Sequence, residues 1–138
     1  MGLNVLVPVG MPLGGGKPVG IHCILELYGC SPGLLNDPAF VQRSLRDAAR
    51  VCESTLLGEV IHHFHPQGVT ALALLEESHI SIHTWPELRY AAIDIFTCGA
   101  ATQPEKGCQY LIGIFESMSH CLNTLPRQPI APVQESGG

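Results

Sequence analysis

A chain of 138 residues holds one domain's worth of sequence, enough to bury roughly 65–70% of its unfolded surface and too short for a second full domain. It is 46% apolar and only 14% charged, so it lacks the charge to cover a whole monomer surface, and an oligomeric face is expected. The net charge of −5 gives no basic footprint for counterion release, which argues against nucleic acid as a partner.

Cys23, Cys30, Cys52, Cys98, Cys108 and Cys121 form no C-x-x-C pair, and the start of the chain does not read as a secretory leader. Reduced thiols and a cytoplasmic location are the expectation. No apolar run approaches the ~20 residues that span a bilayer, so no membrane partner is expected.

In chain order, residues 1–18 read as an irregular N-terminal arm, punctuated by Pro8, Pro12, Pro18 and Gly14-Gly15-Gly16. Gly16-Lys17 is not a phosphate loop, because Met11 stands where the earlier glycine is needed and Pro18 where a hydroxyl is needed. Val19 to Tyr28 alternates as a strand, with Ile21, Cys23, Leu25 and Leu27 on one face and His22, Ile24 and Glu26 on the other. Asn36 or Asp37 before Pro38 starts a helix whose apolar stripe is Phe40-Val41, Leu45, Ala48-Ala49 and Cys52. Its opposite face, Arg43, Arg46, Asp47 and Arg50, is expected to lie in water without partners.

Leu56–Phe64 and Val69–Leu75 read as two strands joined around Pro66-Gln67-Gly68. His62, His63 and His65 between them lack an acidic or thiol ligand and the i, i+4 helical spacing, so no metal site is expected there. Ser78–Thr84 alternates and is closed by Trp85-Pro86, and Tyr90–Cys98 is a further strand, with Ile93 and Ile95 facing opposite to Asp94, Phe96 and Cys98. A second helix is expected from Gln103-Pro104-Glu105 to about His120, with Cys108, Leu111-Ile112, Phe115 and Met118 inward.

The order βα, antiparallel strands, then α predicts an α+β two-layer sandwich, a mainly antiparallel sheet with two helices packed on one face. The catalytic domain would span residues 19–123, and residues 124–138 would be a proline-rich mobile tail.

Chemistry concentrates in Glu76-Glu77-Ser78-His79-Ile80-Ser81-Ile82-His83-Thr84-Trp85-Pro86-Glu87, with Cys98 downstream. Ser78 sits where one strand stops and the next begins, a junction at which a backbone bond is open to attack from within. His83 lies five residues on, an odd offset that points it away from Ser78 in an unbroken strand. A bend near Ser78, or approach from a neighbouring strand, is needed to join them.

The runs Glu77-Ser78-His79, Ile82 to Glu87 and Ala91 to Gly99 resemble the prokaryotic S-adenosylmethionine decarboxylase proenzyme family, and the similarity extends over roughly residues 16 to 122. The resemblance implies a self-processing enzyme in which Ser78 attacks the carbonyl of Glu77 and the chain is cut between residues 77 and 78. The new N-terminus becomes a covalently bound pyruvoyl group derived from Ser78, which forms a Schiff base with the substrate amine; neither metal nor PLP is implied. By the same resemblance His83 transfers protons during processing and Cys98 protonates the substrate after decarboxylation.

Phe64 and Trp85 match positions that hold the adenine, and Glu87 one that holds the ribose hydroxyls. Thr70 stands where many relatives carry a serine that supports processing. The implied partners are S-adenosylmethionine and a second copy, in a dimer of αβ protomers with shared active sites. The implied product, decarboxylated S-adenosylmethionine (S-adenosylmethioninamine), leads to spermidine.

Three other readings stand beside this one. A pyruvoyl-dependent arginine or ornithine decarboxylase would keep the chemistry, although the aromatic pair Phe64 and Trp85 suits an adenine better. A non-catalytic activating paralogue would have no need of Ser78, His83 and Cys98 together. A cysteine hydrolase using Cys98, His83 and Asp94 lacks an identifiable oxyanion hole.

Overall fold

The structure is a computed structural model that describes residues 18–76 and 78–129. The N-terminal arm, apart from Pro18, lies outside the described residues, as do Glu77 and the tail beyond residue 129. The described elements are β1 (Gly20–Tyr28), α1 (Pro32–Leu35), α2 (Pro38–Val51), β2 (Leu56–His63), β3 (Val69–Leu75), β4 (Ser78–Trp85), a 3-10 turn (Pro86–Leu88), β5 (Tyr90–Thr97), α3 (Pro104–Ile114) and β6 (Ser119–Arg127). The strands form one sheet in the order β2-β3-β4-β5-β1-β6, and every neighbouring pair is antiparallel.

Alternation in the strands decides which sheet face is dry. Cys23, Leu25 and Leu27 of β1, Ile80 and Ile82 of β4 and Ile95 of β5 are wholly buried, and the core they form also contains Leu45 of α2 and Leu111 of α3. The α+β sandwich expected from the sequence is the fold observed, with α2 and α3 on one face. The other face carries His22, His79, Ser81, His83, Asp94 and Phe96, and no helix of the described residues covers it.

Helix α2 starts as its sequence dictates. The Asp37 carboxylate accepts from the Phe40 N–H at 3.2 Å, and Pro38 occupies the first turn, where no intrahelical donor is lost. Its outer face is less idle than expected. Arg46 makes a bidentate pair with Glu59 of β2 and Tyr110 donates to Asp47 at 3.1 Å, so these charges tie α2 to β2 and α3.

The second long helix corrects the sequence reading. α3 ends at Ile114, not His120, and Glu116 adopts a left-handed φ of 54° just beyond it. Met118, expected on the inner stripe, is 84% exposed. The chain then returns as β6 along β1, so residues 124–127 belong to the sheet and not to the tail. Pro126 is accommodated because β6 is an edge strand, where one side of the backbone has no ladder to complete.

Candidate functional site

Strand β4 carries two separate groups of chemistry-bearing residues, one at each end. At the C-terminal end a cleft of about 400 Å³ is lined by Phe64, Gln67, Gly68, Thr70, His83, Thr84, Trp85 and Glu87. All three residues expected to hold substrate, together with Thr70 and His83, therefore border one space.

The cleft is built from the register. Thr70 of β3 pairs with His83 of β4, and the Thr70 hydroxyl lies 3.0 Å from His83 Nδ1. Thr84, one residue on, turns to the core side. Its hydroxyl donates to Leu35 O at 2.7 Å and accepts from Val69 N–H at 2.8 Å, locking β4 to α1 and β3. Trp85 is 38% exposed and stacks on Tyr90, which stacks on Tyr28, with centroid separations of 5.2 and 5.7 Å. This ladder holds the indole upright at the cleft wall.

Phe64 is carried on the β2–β3 connection, and Gly68 sets its position. Gly68 has φ +106°, and a Cβ there would meet Thr84 O at 3.1 Å. The Phe64 N–H donates to Gly68 O at 2.8 Å. Asn36 Oδ1 accepts from the Gly68 N–H at 3.0 Å and lies 3.0 Å from His63 Nε2, so one amide braces both limbs of the connection. His63, the last residue of β2, is held by that hydrogen bond.

The other end of β4 holds Ser78 and Cys98. Ser78 is the first residue of the strand, half-buried, and pairs with Leu75 on one side and Thr97 on the other. Cys98 follows Thr97 directly and is the half-buried member of a set whose Cys23, Cys30, Cys52 and Cys108 are buried. Burial pushes the Cys30 and Cys52 thiols up to about 11, which keeps them protonated and inert. Behind Cys98 the Thr102 hydroxyl lies 3.0 Å from Thr97 Oγ1 and Gly99 O and 3.3 Å from Cys98 O, which fixes the turn.

Ser78 and His83 are not brought together within one chain. β4 runs from Ser78 to Trp85 with continuous register to both neighbours, so the five residue steps from Ser78 to His83 span about 16 Å at ~3.3 Å per residue. The bend considered from the odd offset is not present in β4.

A further group was not singled out from the sequence. Asp94 of β5 accepts from Ser81, and its Oδ2 lies 2.8 Å from both His22 Nε2 and His79 Nε2. Burial pushes this carboxyl up, but the hydrogen bonds from Ser81, His79 and His22 outweigh it and hold it below the usual carboxylate range. The only hint in the sequence is that His22, His79 and Asp94 fall on the polar face of their strands.

The family model described as S-adenosylmethionine decarboxylase matches residues 21–128. The chain is 54% identical over 117 residues to the S-adenosylmethionine decarboxylase proenzyme of Synechococcus sp. (strain WH7803), covering 85% of this chain and 91% of that one. It is also 54% identical over 88 residues to the proenzyme so named from Methanococcus maripaludis (strain C5 / ATCC BAA-1333), covering 64% and 72%. The crystal structure of the adenosylmethionine decarboxylase from Aquifex aeolicus VF5 superposes with a TM-score of 0.77 at 29% identity, over 88% of this chain and 99% of that one. The cleft and these likenesses agree: the chain belongs to the S-adenosylmethionine decarboxylase family.

Proposed function

We infer that the protein is a self-processing decarboxylase that converts S-adenosylmethionine to decarboxylated S-adenosylmethionine and carbon dioxide in the cytoplasm, on the route to spermidine. The observation that carries this reading is the position of Ser78, first in β4 and paired with Thr97, the residue before Cys98, in a chain 54% identical to a proenzyme of that activity.

In processing, the Ser78 hydroxyl oxygen attacks the Glu77 carbonyl, and the amide becomes an ester. Loss of the Ser78 α-proton then expels the Glu77 carboxylate, and water releases ammonia. A β chain of residues 1–77 and an α chain of residues 78–138 result, the latter starting with a pyruvoyl group. Ser78 fits this precursor role because it is a half-buried hydroxyl residue at a strand start, next to the bond to be cut. Once formed, the group supplies the electron sink that amino-acid side chains lack.

The remaining residues bind, orient and move protons. Phe64 and Trp85 offer ring faces to a flat adenine, and Glu87 offers acceptors to the ribose hydroxyls. The Thr70 hydroxyl and His83, in contact with each other, assist processing. Cys98 returns a proton to the substrate carbon after carbon dioxide leaves. The separation of about 16 Å along β4 supports a dimer in which the Ser78 end of one protomer meets the Thr70–His83 cleft of its partner. The uncovered sheet face, with Leu72 and Leu74 43% and 57% exposed, supplies apolar surface for such pairing.

The test is a pair of variants assayed for chain cleavage and for release of labelled carbon dioxide from carboxyl-labelled S-adenosylmethionine. Ser78→Ala should remain one chain and be inactive. Cys98→Ala should be cleaved yet lose at least ~100-fold in turnover. Normal turnover by either variant contradicts the assignment.

A further inference from the structure

The hydrogen-bond donors around Asp94 settle where the protons of its two histidines sit. Arg127 has only donors to offer, and its guanidinium lies 2.9 Å from His22 Nδ1. His22 Nδ1 must therefore accept, and its proton is on Nε2, aimed at Asp94 Oδ2 at 2.8 Å. His22, His79 and Asp94 have ligand atoms within 4.8 Å of one another, a spacing that invites a cation. The guanidinium fixed on His22 argues against one, because it keeps Nε2 protonated and brings a positive charge of its own. The group is a hydrogen-bond relay.

The relay ends on Ser78. His79 Nε2 lies 2.8 Å from the same Asp94 oxygen, which, as part of a carboxylate, can only accept. His79 thus carries its proton on Nε2 and turns the lone pair of Nδ1 outward. The Ser78 hydroxyl oxygen is 3.5 Å from that Nδ1. The contact is long, and such contacts tighten as reacting geometry forms. Phe96 holds the arrangement, with ring centroids 5.4 Å from His22 and 6.2 Å from His79, and Ser81 fills the second oxygen of Asp94. Nucleophile, base and orienting carboxylate stand in the order of an activated serine.

We propose that His79 is the base that takes the Ser78 hydroxyl proton in the chain-cleaving step, with Asp94 as its positioning residue. As Ser78 Oγ bonds to the Glu77 carbonyl carbon, its proton passes to His79 Nδ1. As the carbon–nitrogen bond breaks, the same proton passes to the departing Ser78 nitrogen, so the shift from amide to ester is balanced and His79 is regenerated. This assigns the first proton transfer to a residue adjacent to Ser78 in the same chain, and leaves His83 free for the later elimination. The proposal rests on the self-processing reading above.

The experiment follows cleavage of full-length protein made by cell-free synthesis, pulse-labelled and chased, for wild type, Ser78→Ala, His79→Ala, His79→Gln and Asp94→Asn, with and without added imidazole. Wild type should cleave and Ser78→Ala should not; if wild type stays intact, or Ser78→Ala cleaves, the underlying self-processing reading fails. Given that control, both His79 variants should cleave at least ~100-fold more slowly. Asp94→Asn should cleave about 10-fold more slowly, and imidazole should accelerate His79→Ala by filling the place of the missing ring while leaving Asp94→Asn unchanged. Cleavage of His79→Ala within threefold of wild type overturns the proposal, and so does a slow His79→Ala that imidazole does not accelerate. Either result would leave the wider reading intact.

Discussion

Asp94 accepts from Ser81, His79 and His22, and three donors on one carboxylate make its charge part of the fold's stability. Burial opposes ionisation and the donors outweigh it, so its folded-state value lies below the ordinary one. A group depressed in this way contributes stability that is fully present above the unfolded value of ~3.9 and is lost as pH falls through the folded value. Asp94→Asn should therefore melt below wild type at pH 7, and the gap should shrink as pH approaches 3; a gap that stays constant contradicts this account. The residue scale also shows what one chain's sequence can display. Phe64, Thr70, Trp85, Glu87, Ser78, His83 and Cys98 stand in runs whose resemblance to a family is readable directly. The Arg127–His22–Asp94–His79 relay joins residues up to 105 positions apart, and only the pairing of β1 with both β5 and β6 brings them onto one face. Nothing in local spacing encodes that register.

At the scale of elements, helix α3 sits close to the sheet because Gly107 has no side chain. A Cβ there would run into Cys52 Sγ and approach Ile95 Cδ1 at 3.1 Å. Alanine in place of a helical glycine gains ~1 kcal/mol of propensity, whereas overpacking a filled core costs ~1–3 kcal/mol. Gly107→Ala should thus lower the melting temperature, although propensity alone predicts a rise; an unchanged or higher melting temperature would mean that α3 can shift outward at no cost. The strands and α2 were legible because their periods of two and 3.6 were clean and their ends were marked by Asp37-Pro38, Trp85-Pro86 and Gly99. β6 was not. Leu111, Phe115 and Met118 continue a helical spacing past the true end, and Pro126 argues against a strand unless one knows that the strand lies at an edge. The four-residue α1 was hidden for a related reason, since Pro32 and Gly33 read as a stop although proline suits a first turn.

Across the whole molecule, Ser78 and Cys98 lie towards one end of β4 and the aromatic cleft at the other, and the proposed function makes these two halves of one chemistry. A chain only 14% charged, with an uncovered sheet face, fits an assembly in which a partner completes each site. Co-expression of Ser78→Ala with a Trp85→Ala/Glu87→Ala double variant tests this, since only a mixed dimer with shared sites regains one intact site. Activity near a quarter of wild type is expected when the two variants, each nearly inactive alone, associate at random; no recovery, with mixed dimers demonstrated, would place each site within one chain. The most direct measurement of the central claim is denaturing mass spectrometry of the purified wild-type protein. The account predicts two chains that divide between Glu77 and Ser78, the second lighter than a serine-started peptide by one ammonia. A single intact chain after prolonged incubation would contradict it.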